Sequence, residues 1–246
     1  MHDHVGWRAR LGLVYMASSI VMEPECYAMA PEGVSIHTAR MHLPAVTADG
    51  LRAMMDHGPL EDAARLLGYA PLDAAVFGGT SASFLEGLRY DQSVIQRMRA
   101  LMGPIPITTA STAGLAALKA VGAKRITFVG PYVEEVTARG RAFFEANGVG
   151  VLDAVGLGIA GDHAIGSVPL EEVYRFVKRS AVPGSDAVFI SCTNFRTVGA
   201  IATLEQDLGV PVVSAIQASF WHVLRLAGVA GGKTEFGSLF AQGLPQ

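Results

Sequence analysis

Short apolar runs alternate with longer amphipathic stretches along most of the chain. Residues 10–16, 34–43, 74–77, 105–109, 125–129, 149–157, 187–191 and 211–214 are rich in β-forming apolar residues, and most are bounded by Gly, Pro or Asp. Most of these runs are nearly continuous in apolar character. That is the pattern of a parallel strand covered on both faces, and it predicts eight strands. Residues 87–102, 133–147 and 170–179 carry helical patterns between them. Strand–helix alternation on this scale predicts βαβ units and an α/β fold with parallel sheets.

The pattern repeats within the chain. Asp73-Ala-Ala-Val-Phe-Gly-Gly79-Thr80-Ser81 aligns with Asp186-Ala-Val-Phe-Ile-Ser-Cys192-Thr193-Asn194 at an offset of 186 − 73 = 113. Arg10-Leu-Gly-Leu-Val aligns with Arg125-Ile-Thr-Phe-Val, and Gly33-Val-Ser-Ile with Gly148-Val-Gly-Val, both at 115. Ile105-Pro106-Ile-Thr aligns with Val210-Pro211-Val-Val at 105. Four matches in one order predict two pseudo-two-fold-related halves, each a three-layer, flavodoxin-like or Rossmann-like unit. Residues 1–111 plus 216–246 are expected to form the first half and 112–215 the second, with the tail packing back onto the first. Ligands in such sheets bind beyond the C-terminal strand ends, which places the expected site in the cleft between the halves.

Composition narrows the class. Half of the 246 residues are hydrophobic and 17% are charged, which suits a buried core and argues against disorder. The mean hydropathy of +0.35 raises the question of a membrane. No apolar run approaches the roughly 18–20 residues that a spanning helix needs. Residues 1–10 lack the cationic-then-apolar build of a signal peptide. A soluble, cytoplasmic protein is expected, with no membrane partner. The net charge is −3, with 19 basic and 22 acidic residues well mixed, so nucleic acid is not an expected partner. Cys26 and Cys192 lie far apart and lack metal-ligand spacing, so neither a disulfide framework nor a metal site is expected.

Chemistry concentrates at the strand ends. Cys192 stands where a strand stops, and the Ser191-Cys192-Thr193-Asn194 segment offers N-caps to a helix expected to run to about residue 208. A thiol at such a helix start would be favoured as thiolate, and the free N–H groups there could hold a carboxylate or an enediolate oxygen. Gly79-Thr80-Ser81 occupies the matching place in the first half, with hydroxyls and backbone N–H groups suited to an anion but no strong nucleophile. Tyr132 follows a third strand and could reach the same anion. Asp162-His163 reads as a solvated Gly-rich turn, and Cys26 as a packing residue of a helix over residues 23–29.

At these residues the chain resembles the Asp/Glu racemase superfamily, in the branch of maleate cis–trans isomerases and arylmalonate decarboxylases. The resemblance spans nearly the whole chain. Members place a catalytic cysteine at the matching strand end of each half, whereas this sequence has Gly79 in the first and Cys192 in the second. One thiol is the decarboxylase-like pattern. Gly79-Thr80-Ser81-Ala-Ser-Phe84, Thr108-Thr109-Ala-Ser-Thr112 and Tyr132 also match that enzyme. Ser191 to Thr197 and the Gly158 to Gly166 segment are isomerase-like. Phe220-Trp221 and Leu224-Arg225-Leu226-Ala227-Gly228 are common to both. Ser18-Ser19 is similar to the isomerase's first loop, with Ile20 where its Asn is expected.

The resemblance implies a cofactor-independent decarboxylase of a substituted malonate, with no metal. Gly79, Thr80, Ser81, Tyr132, Thr193 and Asn194 would bind the substrate, and Cys192 would protonate an enediolate. The alternatives are a cis–trans isomerase of a small diacid and a non-catalytic diacid-binding protein. The expected partner is a small dicarboxylate; a homo-oligomer stays open.

Overall fold

The computed structural model describes residues 5–56 and 58–243. Residues 1–4 and 244–246, the ends of the segments assigned above to the first half, lie outside the described residues. The chain begins β1 (Ala9–Met16), α1 (Met22–Met29), β2 (Val34–Met41), α2 (Ala48–Asp56), α3 (Pro59–Leu67), β3 (Ala74–Phe77), α4 (Thr80–Phe84), α5 (Leu88–Met102) and β4 (Ile107–Thr109). Helix α6 (Ala110–Ala120) leads to β5 (Arg125–Gly130), α7 (Glu134–Ala146), β6 (Gly150–Gly156), α8 (Asp162–Ser167), α9 (Leu170–Ser180), β7 (Ala187–Ile190), α10 (Ile201–Leu208), β8 (Val212–Ser214) and α11 (Ala215–Leu226).

The strands form two parallel four-stranded sheets of identical topology, β2-β1-β3-β4 and β6-β5-β7-β8. The inner strands β3 and β7 read Ala-Ala-Val-Phe and Ala-Val-Phe-Ile, and every residue in them is buried. A strand paired on both edges and covered on both faces has no polar side, hence the unbroken apolar runs. The last strand of each half is shorter than its apolar run. Pro106 and Pro211 have no N–H for the ladder, so pairing begins after them, although their carbonyls still accept from Ala75 and Val188 at 3.0 Å each. Strand β2 stops at Met41, which leaves Leu43 in the following loop.

The sequence repeat is reproduced atom by atom. Asp73 accepts the backbone N–H of Arg10 at 2.7 Å, and Asp186 that of Arg125 at 2.8 Å. Gly78 N donates to Val14 O, and Ser191 N to Val129 O, both at 2.7 Å. Gly33 and Gly148 both take positive φ, 82° and 81°, ahead of the outer strands. Thr109 caps α6 by accepting from Thr112 N, and Ser214 caps α11 by accepting from Gln217 N, each at 3.1 Å.

Two helices pack on a sheet other than the one they follow in the chain. Helix α11 follows β8 yet packs on β1, β3 and β4, and α6 follows β4 yet meets β8. Gly114 of α6 permits this approach: a Cβ there would stand 2.9 Å from the Phe189 ring of β7. The helices α6 and α11 also pack on each other, so a shared helical layer joins the two sheets. Among the described residues no helix is long and apolar enough to cross a membrane.

Asp91 of α5 is fully buried beneath the start of α6 and accepts hydrogen bonds from the hydroxyls of Thr109 and Thr112, both at 2.5 Å. Burial pushes its carboxyl up to about 6 against the pull of those two donors. A carboxyl with a raised folded pKa holds its proton more tightly folded than unfolded, so its ionisation lowers stability as pH rises from about 4 to about 6. Asp91→Asn removes this dependence. The stability of wild type relative to the variant should fall by about 3 kcal/mol between about pH 4 and pH 7 in urea unfolding, and a pH-independent difference would refute the assignment.

Candidate active site

The C-terminal ends of β3, β5 and β7 converge on one narrow cavity, with about 310 Å³ of atom-free space including its mouth. Gly79, Thr80, Ser81, Tyr132, Cys192, Thr193 and Asn194 all line it, so the structure brings together every site residue expected from the sequence.

On the first half, β3 ends at Phe77, and Gly78-Gly79 turn the chain into α4. Gly79 has a φ of −112°, which any residue can adopt. Space is what restricts it. A Cβ at position 79 would stand 2.4 Å from the Phe77 ring and 2.9 Å from the Met16 methyl. No side chain fits at the counterpart of Cys192 until Phe77 moves. Thr80 is 2% exposed, and its hydroxyl has no hydrogen-bond partner among the described residues. A buried hydroxyl without a partner costs on the order of 1–3 kcal/mol, and a ligand oxygen in the cavity would satisfy it. Behind it the Ser83 and Ser111 hydroxyls lie 2.5 Å apart, and the Thr80 carbonyl is within reach of both at 3.0 and 3.3 Å; one hydroxyl donates to the carbonyl and the other to its neighbour's oxygen.

On the second half, the expected helix start at residues 191–194 is overturned. The chain after β7 runs as an irregular segment to a 3-10 turn at Val198–Ala200, and α10 begins only at Ile201. The physical reason is that the other half claims the backbone and side chains of this segment. Asn194 Oδ1 accepts from Ile20 N at 3.0 Å and from the Ser19 hydroxyl at 3.1 Å, and its Nδ2 donates to Asp162 O at 2.8 Å. Thr193 Oγ1 donates to Gly78 O at 2.5 Å. Glu25 of α1 accepts from Thr197 N at 2.9 Å and Val198 N at 3.2 Å, taking the place of a local cap. Thr193 and Asn194 therefore face the cavity while their side chains hold the halves together.

Cys192 consequently has no helix dipole behind it, and its predicted thiolate character is overturned too. Burial first, and the Asp162 carboxylate second, push the thiol up to about 12. The Asn194 N–H, 3.4 Å from Sγ, and the Tyr132 hydroxyl oppose them without prevailing. Tyr132 is 1% exposed, packs edge-to-face on Phe84 and lies 3.2 Å from the Ser191 hydroxyl. Burial and the neighbouring Cys192 hold its phenol well above the ordinary range. Both groups are protonated at neutral pH.

The remaining wall escaped the sequence reading. Met16, Leu43, Val46, Leu51 and Ala82, all from the first half, give the cavity an apolar lining. Leu43 and Val46 belong to the loop after β2, where an apolar residue has no face of an element to fill; that was the available signal. Val46 N donates to Ala160 O at 2.9 Å, which closes this loop against its counterpart after β6. Asp162 and His163, read from the sequence as one solvated turn, begin α8 and part company: Asp162 lines the cavity and His163 is exposed. Among the described residues no group of three His, Cys, Asp or Glu is placed to hold a metal ion.

The family model described as arylmalonate decarboxylase matches residues 11–240. The chain is 35% identical over 202 residues to the arylmalonate decarboxylase of Bordetella bronchiseptica, covering 80% of this chain and 82% of that one. It is 29% identical over 227 residues to a maleate isomerase of Nocardia farcinica, covering 88% and 89%. Among solved structures, a maleate isomerase of Pseudomonas putida S16 with maleate superposes with a TM-score of 0.89 at 25% identity, over 95% of this chain and 98% of that one. A double mutant of arylmalonate decarboxylase in its liganded form superposes with a TM-score of 0.87 at 30% identity, over 94% and 98%.

Cys192 is the one non-glycine residue with positive φ, 91°, among the described residues. Such a conformation costs an L-residue about 1–2 kcal/mol, which glycine avoids. Cys192→Gly should therefore be more stable than Cys192→Ala by about 1 kcal/mol in urea unfolding. Equal stability, or a more stable alanine variant, would show that the strain is absent.

Proposed function

The chain belongs to the arylmalonate decarboxylase family, and from that premise we propose that it is a cofactor-independent decarboxylase of a substituted malonate, with Cys192 as the single proton donor. The observation that carries this reading is the asymmetry of the two strand ends. Cys192 supplies an acid from one side, and at Gly79 the Phe77 ring fills the space a second side chain would need.

The unpartnered Thr80 hydroxyl, with Ser81 and Tyr132, grips the carboxylate that is retained. The second carboxylate faces the apolar side formed by Met16, Leu43, Val46, Leu51 and Ala82. A carboxylate there is poorly solvated, which favours its loss as neutral CO₂. The carbon–carbon bond to that carboxylate breaks, and its electron pair stays on the remaining fragment as an enediolate. The charge develops on oxygens held by the hydroxyls, which act as preorganised donors. Cys192 Sγ–H then protonates the carbon from its own face, and solvent returns a proton to the thiolate. A thiol pushed up to about 12 is protonated in almost every molecule at neutral pH and recovers its proton readily. Proton delivery from one face predicts one enantiomer of a chiral product.

Purified protein should release CO₂ from phenylmalonate without added cofactor and give a single enantiomer from a methyl-substituted analogue. Cys192→Ser should lower kcat by roughly 10²–10⁴-fold while leaving malonate affinity nearly unchanged. Fumarate from maleate, with no CO₂ from any malonate, would replace this reading with the isomerase. Diacid binding with no turnover across a substrate panel would replace it with a binding protein.

The acid role also fixes the pH profile. Loss of the Cys192 proton lies near 12, so kcat should show no alkaline limb from this group up to about pH 10. A fall centred near the ordinary thiol range, about 8.5, would contradict it.

A further inference from the structure

The cavity carries one formal charge, and it has the wrong sign for a dicarboxylate. Asp162 is the charged residue among those lining it; no Lys, Arg or His does so among the described residues. Asp162 Oδ2 accepts from the Ser18 hydroxyl at 2.5 Å. Its other oxygen, Oδ1, receives no hydrogen bond among the described residues, and no ion pair there includes Asp162. Cys192 and Tyr132 are both neutral at pH 7, so neither offsets it. A malonate dianion with an uncharged substituent would bring the formal charge of the site to −3, beside a partly buried Asp162 and with no cation lining the cavity among the described residues. Unpaired charges in such surroundings are costly.

The two loops that close the cavity differ in the same respect. They meet at the Val46 N to Ala160 O hydrogen bond. The loop after β2 presents Leu43 and Val46, and the segment after β6 presents Asp162. The repeat offset of 115 places Asp162 opposite Thr47, whose hydroxyl accepts from Gly50 N in the first turn of α2. The acid is thus an addition of the second half with a free acceptor atom, and a ligand bearing a donor would complete it.

We propose that Asp162 selects the substituent of the substrate, and that the substrate is a diacid whose α-substituent carries an ammonium or another N–H donor. This rests on the dicarboxylate reading above. An ammonium pairs with Asp162 Oδ1 and lowers the net charge of the filled site from −3 to −2. It also orients the substituent toward the second half, leaving the apolar side to the departing carboxylate.

Aminosuccinate and methylsuccinate are equal in shape and differ in charge, as are aminomalonate and methylmalonate. Calorimetry on the whole protein should show wild type binding aminosuccinate at least tenfold more tightly than methylsuccinate. Asp162→Asn keeps an oxygen for Ser18 and should bring the two affinities within about twofold. Ser18→Ala, which keeps the carboxylate, should preserve the preference. Equal affinities in wild type, or a preference that survives Asp162→Asn, would overturn the proposal. If Asp162→Asn does not fold, the wild-type ratio decides. CO₂ release from the two malonates is scored separately. Selective succinate binding without CO₂ would remove the decarboxylase reading and leave Asp162 selectivity standing. Absence of binding by both succinates would overturn the Asp162 proposal, and CO₂ release from a malonate would then leave the decarboxylase reading standing.

Discussion

The site depends on a seam of hydrogen bonds between the strand ends of the two halves. Thr193 Oγ1 reaches across to the Gly78 carbonyl, and Asn194 is bonded at once to the loop after β1 and to Asp162. Glu25 completes the seam by receiving the N–H groups of Thr197 and Val198. These bonds hold the segment after Cys192 in an irregular turn against the first half and postpone α10 to Ile201. They also set Cys192, with its positive φ, against Tyr132 and Thr80 in one enclosed space. Glu25 is itself pushed up to about 7 by burial, so this seam contains a group that titrates near neutrality.

Desolvation is the common cause behind the electrostatics of the cavity. It raises Cys192 and Tyr132 and leaves both as neutral proton donors. It also leaves the Thr80 hydroxyl without a hydrogen-bond partner among the described residues. A site of neutral donors around an apolar wall suits a reaction in which negative charge moves from a carboxylate onto an enediolate. A reactive thiolate would suit nucleophilic addition instead. The dipole of a helix start would have supplied that thiolate, and no helix begins at Cys192.

A near-symmetric fold here carries asymmetric chemistry through a few side chains. The paired bonds of Asp73 and Asp186, and of Gly78 and Ser191, show how closely the backbones correspond. The difference lies in what fills the space behind each strand end. Phe77 and Met16 crowd the place of a Cβ at Gly79, while Cys192 has its side chain in the cavity. The loops after β2 and β6 diverge likewise, one apolar and one acidic.

The sequence by itself determined the two parallel sheets, the duplication and the strand-end residues. Continuous apolar runs and a repeated order of Arg, Gly, Asp and Pro positions are local signals that survive in one dimension. Thr80, Ser81, Tyr132 and Cys192 were legible because the repeat marks strand ends, and strand ends of parallel sheets face the ligand. Only the tertiary structure decided the state of Cys192, because a pKa depends on burial and on Asp162, thirty residues away in the chain. It alone decided that the segment after Cys192 is not a helix, since residues 175 positions distant capture Asn194. It alone revealed the apolar lining and the acid: Leu43 and Val46 lie in a loop and Asp162 at the first residue of α8, where side-chain direction is set by packing between halves and leaves no periodic trace.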